Sequence, residues 1–177
     1  VNGKRVNRDV GLPTRYSIRF SAEAGSGQLG IIADPIRLLM GGGIVLESGA
    51  SILGSAISFA LDSPRLSPTL SRNAVRRDNA FDALLREAQN EICQLTEKVA
   101  SELRSVVEQF KKQGQSMERA LALNDRAALE WLRSRLLDPE TQTPDPVIRR
   151  APVLETADGG LVSAEDLLDV IRREKRL

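Results

Sequence analysis

The stretch from Asn73 to Gln113, NAVRRDNAFDALLREAQNEICQLTEKVASELRSVVEQFKKQ, carries the strongest structural signal in the sequence. Its apolar residues alternate steps of three and four, the spacing of a heptad seam on one helix face. A four-residue step from Val99 to Leu103 is a stutter, which locally unwinds a left-handed supercoil. A helix of about forty residues would be about 60 Å long, so we expect it to project or to pack against partners. The candidate seam residues are Leu85, Ile92, Leu95, Val99, Leu103, Val106 and Phe110.

A second helix is predicted directly after this stretch. Gly114 suits a C-cap and Ser116 an N-cap, and apolar residues continue at helical spacing to Leu136. Asn124-Asp125 offers a fresh cap within it, and Met117 and Trp131 are candidate core or interface anchors. Residues 73–138 are therefore predicted to form a long antiparallel helical hairpin, a coiled-coil-like arm.

The N-terminal part reads as a short β-hairpin. Residues 15–24 alternate apolar and polar side chains, and Leu29, Ile31 and Ile32 supply a partner strand. Between them, GSGQLG (residues 25–30) matches the G-x-G-x-x-G pattern of dinucleotide-binding loops. That function needs a helix directly after the glycines, whereas Pro35 delays any helix to Asp34-Pro35. We therefore interpret the loop as a hairpin turn whose glycines supply positive φ.

Residues 36–61 are almost uncharged and rich in small residues. Gly41-Gly42-Gly43 divides them, and Ala50, Gly54 and Ser58 recur at the spacing that lets helices approach closely. We predict an apolar helical segment with three alternative roles: a buried helical hairpin, a subunit interface, or a membrane-inserting paddle. The candidate interface or membrane contacts are Ile44, Val45, Ile52, Leu53, Ile57 and Phe59.

Proline-rich stretches mark the remaining divisions. Residues 62–72 and 139–152 are predicted linkers between residues 1–61, the helical region 73–138 and a C-terminal element at 153–177. In that last element, Asp158-Gly159-Gly160 predicts a small hairpin, and Ser163 with Asp166 predicts a capping box that opens an amphipathic helix. The expected fold is mainly α, of the α+β class.

Composition excludes several chemistries. The 177 residues include no histidine and one cysteine, Cys93, so imidazole catalysis, multi-cysteine metal sites and an internal disulfide are absent. No P-loop is present either. We expect no enzymatic activity, no cofactor, no metal and no small-molecule substrate. The lone thiol suggests a cytoplasmic protein, and the start at Val1 without a methionine suggests a processed or truncated piece.

Three functions fit these features, and an enzyme with a carboxylate or a Ser/Lys site is a fourth alternative that no specific motif supports. The first is a non-enzymatic assembly protein that associates with itself or with other subunits of a complex. The second is a membrane-contacting module, whose layout resembles in broad plan the stalk and paddle of dynamin-like proteins. The third is a nucleic-acid-associated subunit, since net charge +1 leaves only local basic clusters, at the N-terminus and at the candidate phosphate contacts Arg72, Arg76 and Arg77.

Overall fold

The computed structural model describes residues 11–113, 121–137, 145–157 and 159–174. They form a mixed α+β fold, and the chain divides into two compact units, Val1–Leu95 and Thr96–Leu177. The first unit contains a five-stranded sheet, whose members are β1 (Ser17–Ser21), β2 (Ser26–Ile31), β3 (Arg37–Gly41), β4 (Ile44–Ser48) and β5 (Ile57–Asp62).

The sheet has the order β1-β2-β5-β3-β4. Strand β5 pairs antiparallel with β2 and parallel with β3, so it joins the β1–β2 hairpin to the β3–β4 hairpin. Its first five residues, Ile57 to Leu61, are all buried. A strand covered on both faces shows a continuous apolar run, without the alternation seen in a half-exposed strand.

The prediction of a helical segment at residues 36–61 is wrong, because this stretch forms β3, β4 and β5. The glycines that were interpreted as a break between helices are the turn of a hairpin. Gly42 and Gly43 have φ of 60° and 81°. A two-residue type I′ turn requires positive φ at both central positions, and that turn matches the right-handed twist of the strands it connects.

The predicted β1–β2 hairpin is confirmed, but the role assigned to its glycines is wrong. Strand β2 begins at Ser26, and none of Gly25, Gly27 and Gly30 has a positive φ. A Cβ at Gly25 would lie 2.5 Å from the Asp62 carbonyl oxygen, and one at Gly27 would lie 2.6 Å from Leu61 Cδ2. These glycines are required because β5 and its side chains lie too close for any side chain there.

The long helical stretch is confirmed in a shorter and bent form. Helix α1 covers Asn79–Asn90, and α2 covers Ile92–Gln113 after a break at Glu91. The helix begins at Asn79 because the Asp78 carboxylate caps it, accepting hydrogen bonds from the Ala80 and Phe81 N–H groups. The boundary between the two units falls in the first turn of α2. The coiled-coil-like arm stays a prediction.

The second unit continues with short elements. They are α3 (Leu123–Leu136), α4 (Pro146–Arg149), β6 (Leu154–Glu155), β7 (Leu161–Val162) and α5 (Ala164–Glu174). The fresh cap predicted at Asn124-Asp125 is confirmed only in part, because the N-cap of α3 is Ala122 and Asp125 lies within the first turn, where its Oδ2 accepts the Ala122 N–H at 3.2 Å. The small C-terminal hairpin and helix are also confirmed. The caps predicted at Gly114 and Ser116, and the anchor Met117, lie outside the described residues.

Candidate interaction surfaces

The predicted contacts of residues 44–59 occupy different environments in the sheet. Leu53, Ile57 and Phe59 are buried, and Val45 and Ile52 are half-buried. Ile44, at the start of the edge strand β4, is exposed. The structure therefore brings three of the six side chains into the core of the first unit and leaves only Ile44 of the six exposed, so they do not form a shared surface.

The predicted helix seam is also largely core. Leu95, Val99, Leu103 and Val106 are buried within the chain. The other seam residues, Leu85, Ile92 and Phe110, are half-buried.

Within α1 the seam was misplaced by one residue. The buried residues there are Phe81, Leu84 and Ala88, and Leu84 was missed in favour of Leu85. The steps of three and four from Phe81 through Leu84 to Ala88 are the signal that could have identified Leu84.

Arg77, one of the three candidate phosphate contacts, is already engaged. Its Nη2 lies 2.6 Å from Glu47 Oε1, and its guanidinium carbon lies 4.2 Å from the centre of the Phe81 ring. Arg72 and Arg76 are exposed and have no ion pair with any described residue. Arg77 therefore differs from Arg72 and Arg76, because its guanidinium group already has an ion-pair partner and an aromatic contact.

Arg72 lies in an ordered loop between Pro68 and Val75, which form an isolated β-bridge. The Thr69 N–H donates to the Ala74 carbonyl at 2.8 Å, and the Arg72 N–H donates to the Thr69 carbonyl at 2.9 Å. Arg72 has φ of 55°, a left-handed conformation that is uncommon for a residue with a side chain. Leu70 at the tip is fully exposed. The loop therefore presents one apolar and one cationic side chain on a hydrogen-bonded backbone.

Helix α5 begins with the predicted capping box. The Asp166 N–H donates to Ser163 Oγ at 3.0 Å, and the Ser163 N–H donates to Asp166 Oδ2 at 3.2 Å. The Ser163 hydroxyl also donates to Asp166 Oδ2 at 2.7 Å. These hydrogen bonds lower the pKa of Asp166, and the positive charges of Lys111 and Arg104 lower it further.

The apolar side chains of α5 are the main exposed hydrophobic group of the second unit. Leu167, Leu168, Val170 and Ile171 are 46%, 45%, 51% and 40% exposed. No residue of α5 is buried. The sequence predicted an amphipathic helix here, but local spacing gives no signal of whether the rest of the chain covers the apolar face.

Arginine side chains border this face. A hollow of about 100 Å³ beside α5 is lined by Pro146, Arg149, Arg150, Glu165, Leu168 and Arg172. Arg150 Nε lies 2.9 Å from Glu165 Oε2, and Arg172 Nη1 lies 3.5 Å from Asp169 Oδ1. Arg149 has no ion pair with any described residue. The hollow therefore combines an apolar wall with a surplus of positive charge.

A second hollow of about 250 Å³ adjoins the first, and the two share Pro146 and Arg150. Its other lining residues come from α2 and α4: Glu97, Ala100, Ser101, Arg104 and Val147. Arg104 Nη2 donates to the Arg150 carbonyl oxygen at 3.2 Å. We call the two hollows together the α4–α5 groove.

The comparisons with known proteins do not assign the chain to a family. No family model matches the chain, and its sequence matches no curated protein. Among the described residues, no helix is both long enough and apolar enough to cross a membrane. The same residues contain no group of three or more cysteine, aspartate or glutamate side chains that could hold a metal ion.

Proposed function

We propose that the chain is a non-enzymatic assembly protein, a subunit of a larger complex that contacts its partner through α5. The observation that carries this proposal is the exposed apolar face formed by Leu167, Leu168, Val170 and Ile171. Contiguous apolar side chains on a surface are typical of interaction sites. The predicted helix seam is a weaker candidate for the partner contact than α5, because most of its side chains are buried and offer no contact area.

The energetic argument follows from burial. Transferring a fully exposed leucine or valine side chain out of water contributes about 1.5–3 kcal/mol, so a half-exposed one contributes about half of that. Four such side chains together contribute about 3–6 kcal/mol, which only matches the low end of the about 4–15 kcal/mol that association costs. A specific complex therefore needs further contacts, which the neighbouring arginines are placed to supply.

The experiment compares the native mass of the tagged chain with that of Leu168→Asp in extracts of cells producing each. On size-exclusion chromatography we expect the wild-type chain to elute as a species larger than a monomer, and the Leu168→Asp variant to elute later, at the mass of a monomer. The matched control is Asp169→Asn, the next residue on the helix and part of its polar side. Elution of the wild-type chain as a monomer, or an unchanged complex with Leu168→Asp, would contradict the proposal.

A second candidate function is contact with phosphate groups of nucleic acid through Arg72 and Arg76. It is favoured by their exposure and by the left-handed backbone of Arg72, since such strain in ordered loops is concentrated at functional positions. Oligonucleotide binding at low and high salt tests it, because phosphate contacts weaken steeply with salt. Inorganic triphosphate serves as a competitor that distinguishes a free phosphate ligand from a nucleic acid strand.

A further inference from the structure

We infer that the occupant of the α4–α5 groove is an acidic, amphipathic segment of a different protein. This inference rests on the proposed function and specifies the chemistry of the partner. The groove is lined by four arginines, Arg104, Arg149, Arg150 and Arg172, and by two glutamates, Glu97 and Glu165. Its charge is therefore net positive next to an apolar helix face, which complements carboxylates interspersed with apolar side chains.

The existing ion pairs leave positive charge available. Among the described residues, Glu165 accepts from Arg150 only, and Arg149 has no ion pair. Arg172 has one exposed partner, Asp169, at 3.5 Å. Carboxylates of an incoming segment can thus contact Arg149 and Arg172 without breaking a buried interaction, and bidentate arginine–carboxylate geometry would orient the segment.

The shape of the groove supports an apolar anchor. The larger hollow, of about 250 Å³, is open to solvent, and Ala100, Pro146 and Val147 line it together with polar and charged side chains. One branched or aromatic side chain of the partner fits there, while further apolar residues cover Leu168 and its neighbours on α5.

Nucleic acid is a poorer occupant of the same surface. A nucleic acid backbone presents phosphates and sugars without apolar side chains, so it would leave Leu167, Leu168 and Ile171 uncovered. A protein segment satisfies both the apolar face and the arginines.

The test uses two short labelled peptides that have leucines at helical spacing and differ only in the remaining positions, which are glutamate in one and lysine in the other. We measure their binding to the full chain by fluorescence anisotropy. The glutamate peptide should bind, and the lysine peptide should bind about tenfold more weakly or worse. Equal binding of both peptides, or binding of neither, would overturn the inference.

Two adjacent arginines provide matched variants. Arg172 lines the groove, whereas Arg173, also in the last turn of α5, does not. Arg172→Glu should weaken the glutamate peptide severalfold and improve the lysine peptide, while Arg173→Glu leaves their ratio unchanged. Equal effects of the two substitutions would show that net charge alone acts, and would overturn the groove as the binding site.

Two further outcomes separate the inference from the proposed function. A reversible dimer of the chain alone, lost in Leu168→Asp, would show that a second copy occupies α5, so the inference would fail while the assembly function stands. Loss of the cellular complex in Leu168→Asp, together with no preference for the glutamate peptide, would also overturn only the inference. A monomer in the extract would remove the proposed function itself.

Discussion

Glu47 and Arg77 form an ion pair that connects the edge strand β4 to the segment before α1, with Nη2 of the arginine 2.6 Å from Oε1 of the glutamate. The other carboxylate oxygen accepts the Val75 N–H at 2.7 Å. The Glu47 side chain is only 12% exposed, whereas that of Arg77 is 43% exposed. Glu47 therefore holds Val75, at the end of the loop that carries Arg72, and also Arg77, which follows that loop.

Replacing Glu47 with alanine should lower the free energy of unfolding by about 1–3 kcal/mol, because the Val75 N–H loses its partner. Urea denaturation followed by circular dichroism measures the change. The exposed Glu23→Ala provides the control and should shift the free energy by less than about 0.5 kcal/mol. Equal effects of the two substitutions would show that the Glu47 contacts contribute nothing to stability.

Because Arg77 is paired with Glu47, we expect the three candidate phosphate contacts to contribute unequally to nucleic-acid binding. If the chain binds nucleic acid through this region, Arg72→Gln and Arg76→Gln should each weaken binding and lower its salt dependence. Arg77→Gln should instead leave binding nearly unchanged and reduce thermal stability, because Arg77 is engaged with Glu47. Oligonucleotide titrations at two salt concentrations measure this order, and a dominant loss in Arg77→Gln would contradict it.

Gly27→Ala should destabilise the first unit by about 1–3 kcal/mol through overpacking, since its Cβ would meet Leu61 Cδ2 at 2.6 Å and the Ala60 carbonyl oxygen at 2.9 Å. Gly11→Ala is the matched control, because its Cβ meets only Arg19 Nη2 at 3.6 Å. Both variants are compared by chemical denaturation. A Gly27→Ala protein as stable as wild type would mean that the strands do not approach as closely as described.

Ser163→Ala should destabilise the start of α5 by about 1 kcal/mol, through loss of the cap. The pKa of Asp166 should rise toward its ordinary value of 3.8 in this variant, because its principal hydrogen-bond donor is gone. Carbon-detected NMR titration of the Asp166 carboxyl measures the pKa directly. Ser163→Thr keeps the hydroxyl and should keep the low pKa, so a raised pKa in both variants would contradict the assignment.

The capping box also predicts a pH dependence. Because the folded pKa of Asp166 lies below the unfolded value, its stabilising contribution is complete above about pH 4 and is lost as the pH falls through the folded pKa. The helicity of α5 should therefore decline on acidification below that pH in wild type, and less so in Ser163→Ala. Backbone chemical shifts of α5 residues follow the change, and identical profiles would contradict it.

Leu168→Gln should lower the free energy of unfolding by no more than about 1 kcal/mol, since 45% of this side chain is already exposed. Leu132→Ala in α3, at a fully buried position, should cost about 2–5 kcal/mol. Thermal and urea denaturation of the two variants provide the comparison. A large loss in Leu168→Gln would show that the face of α5 serves folding and is not reserved for a partner.

Features encoded over a few residues could be predicted from the sequence. The alternation before Ala24 predicts β1, Ser163 with Asp166 predicts the α5 cap, and Asn124-Asp125 predicts the start of α3 to within about two residues. Each depends on contacts between residues that are close along the chain, so the sequence pattern contains the same residues that make the stabilising contacts. The prediction of a helix at residues 36–61 failed because a strand that is buried on both faces does not alternate apolar and polar residues. The small and apolar residues that remain also suit a helix.

The candidate site could be predicted only in part. The amphipathic pattern of α5 is visible in the sequence, but the exposure of its apolar face depends on how the other residues of the second unit pack around it. The grouping of Arg149 and Arg150 with Arg172 depends on the placement of α4 beside α5, which no local spacing encodes. Likewise, Glu47 and Arg77 are 30 residues apart, and only the sheet brings them together.

The position of β5 has a consequence for how the first unit folds. The two hairpins are each closed by local turns, and neither pairs with the other except through β5, the last strand of this sheet along the chain. During synthesis both hairpins can therefore form early, as separate ribbons of marginal stability. The sheet becomes one cooperative structure only once Ile57–Asp62 has emerged and paired on both sides.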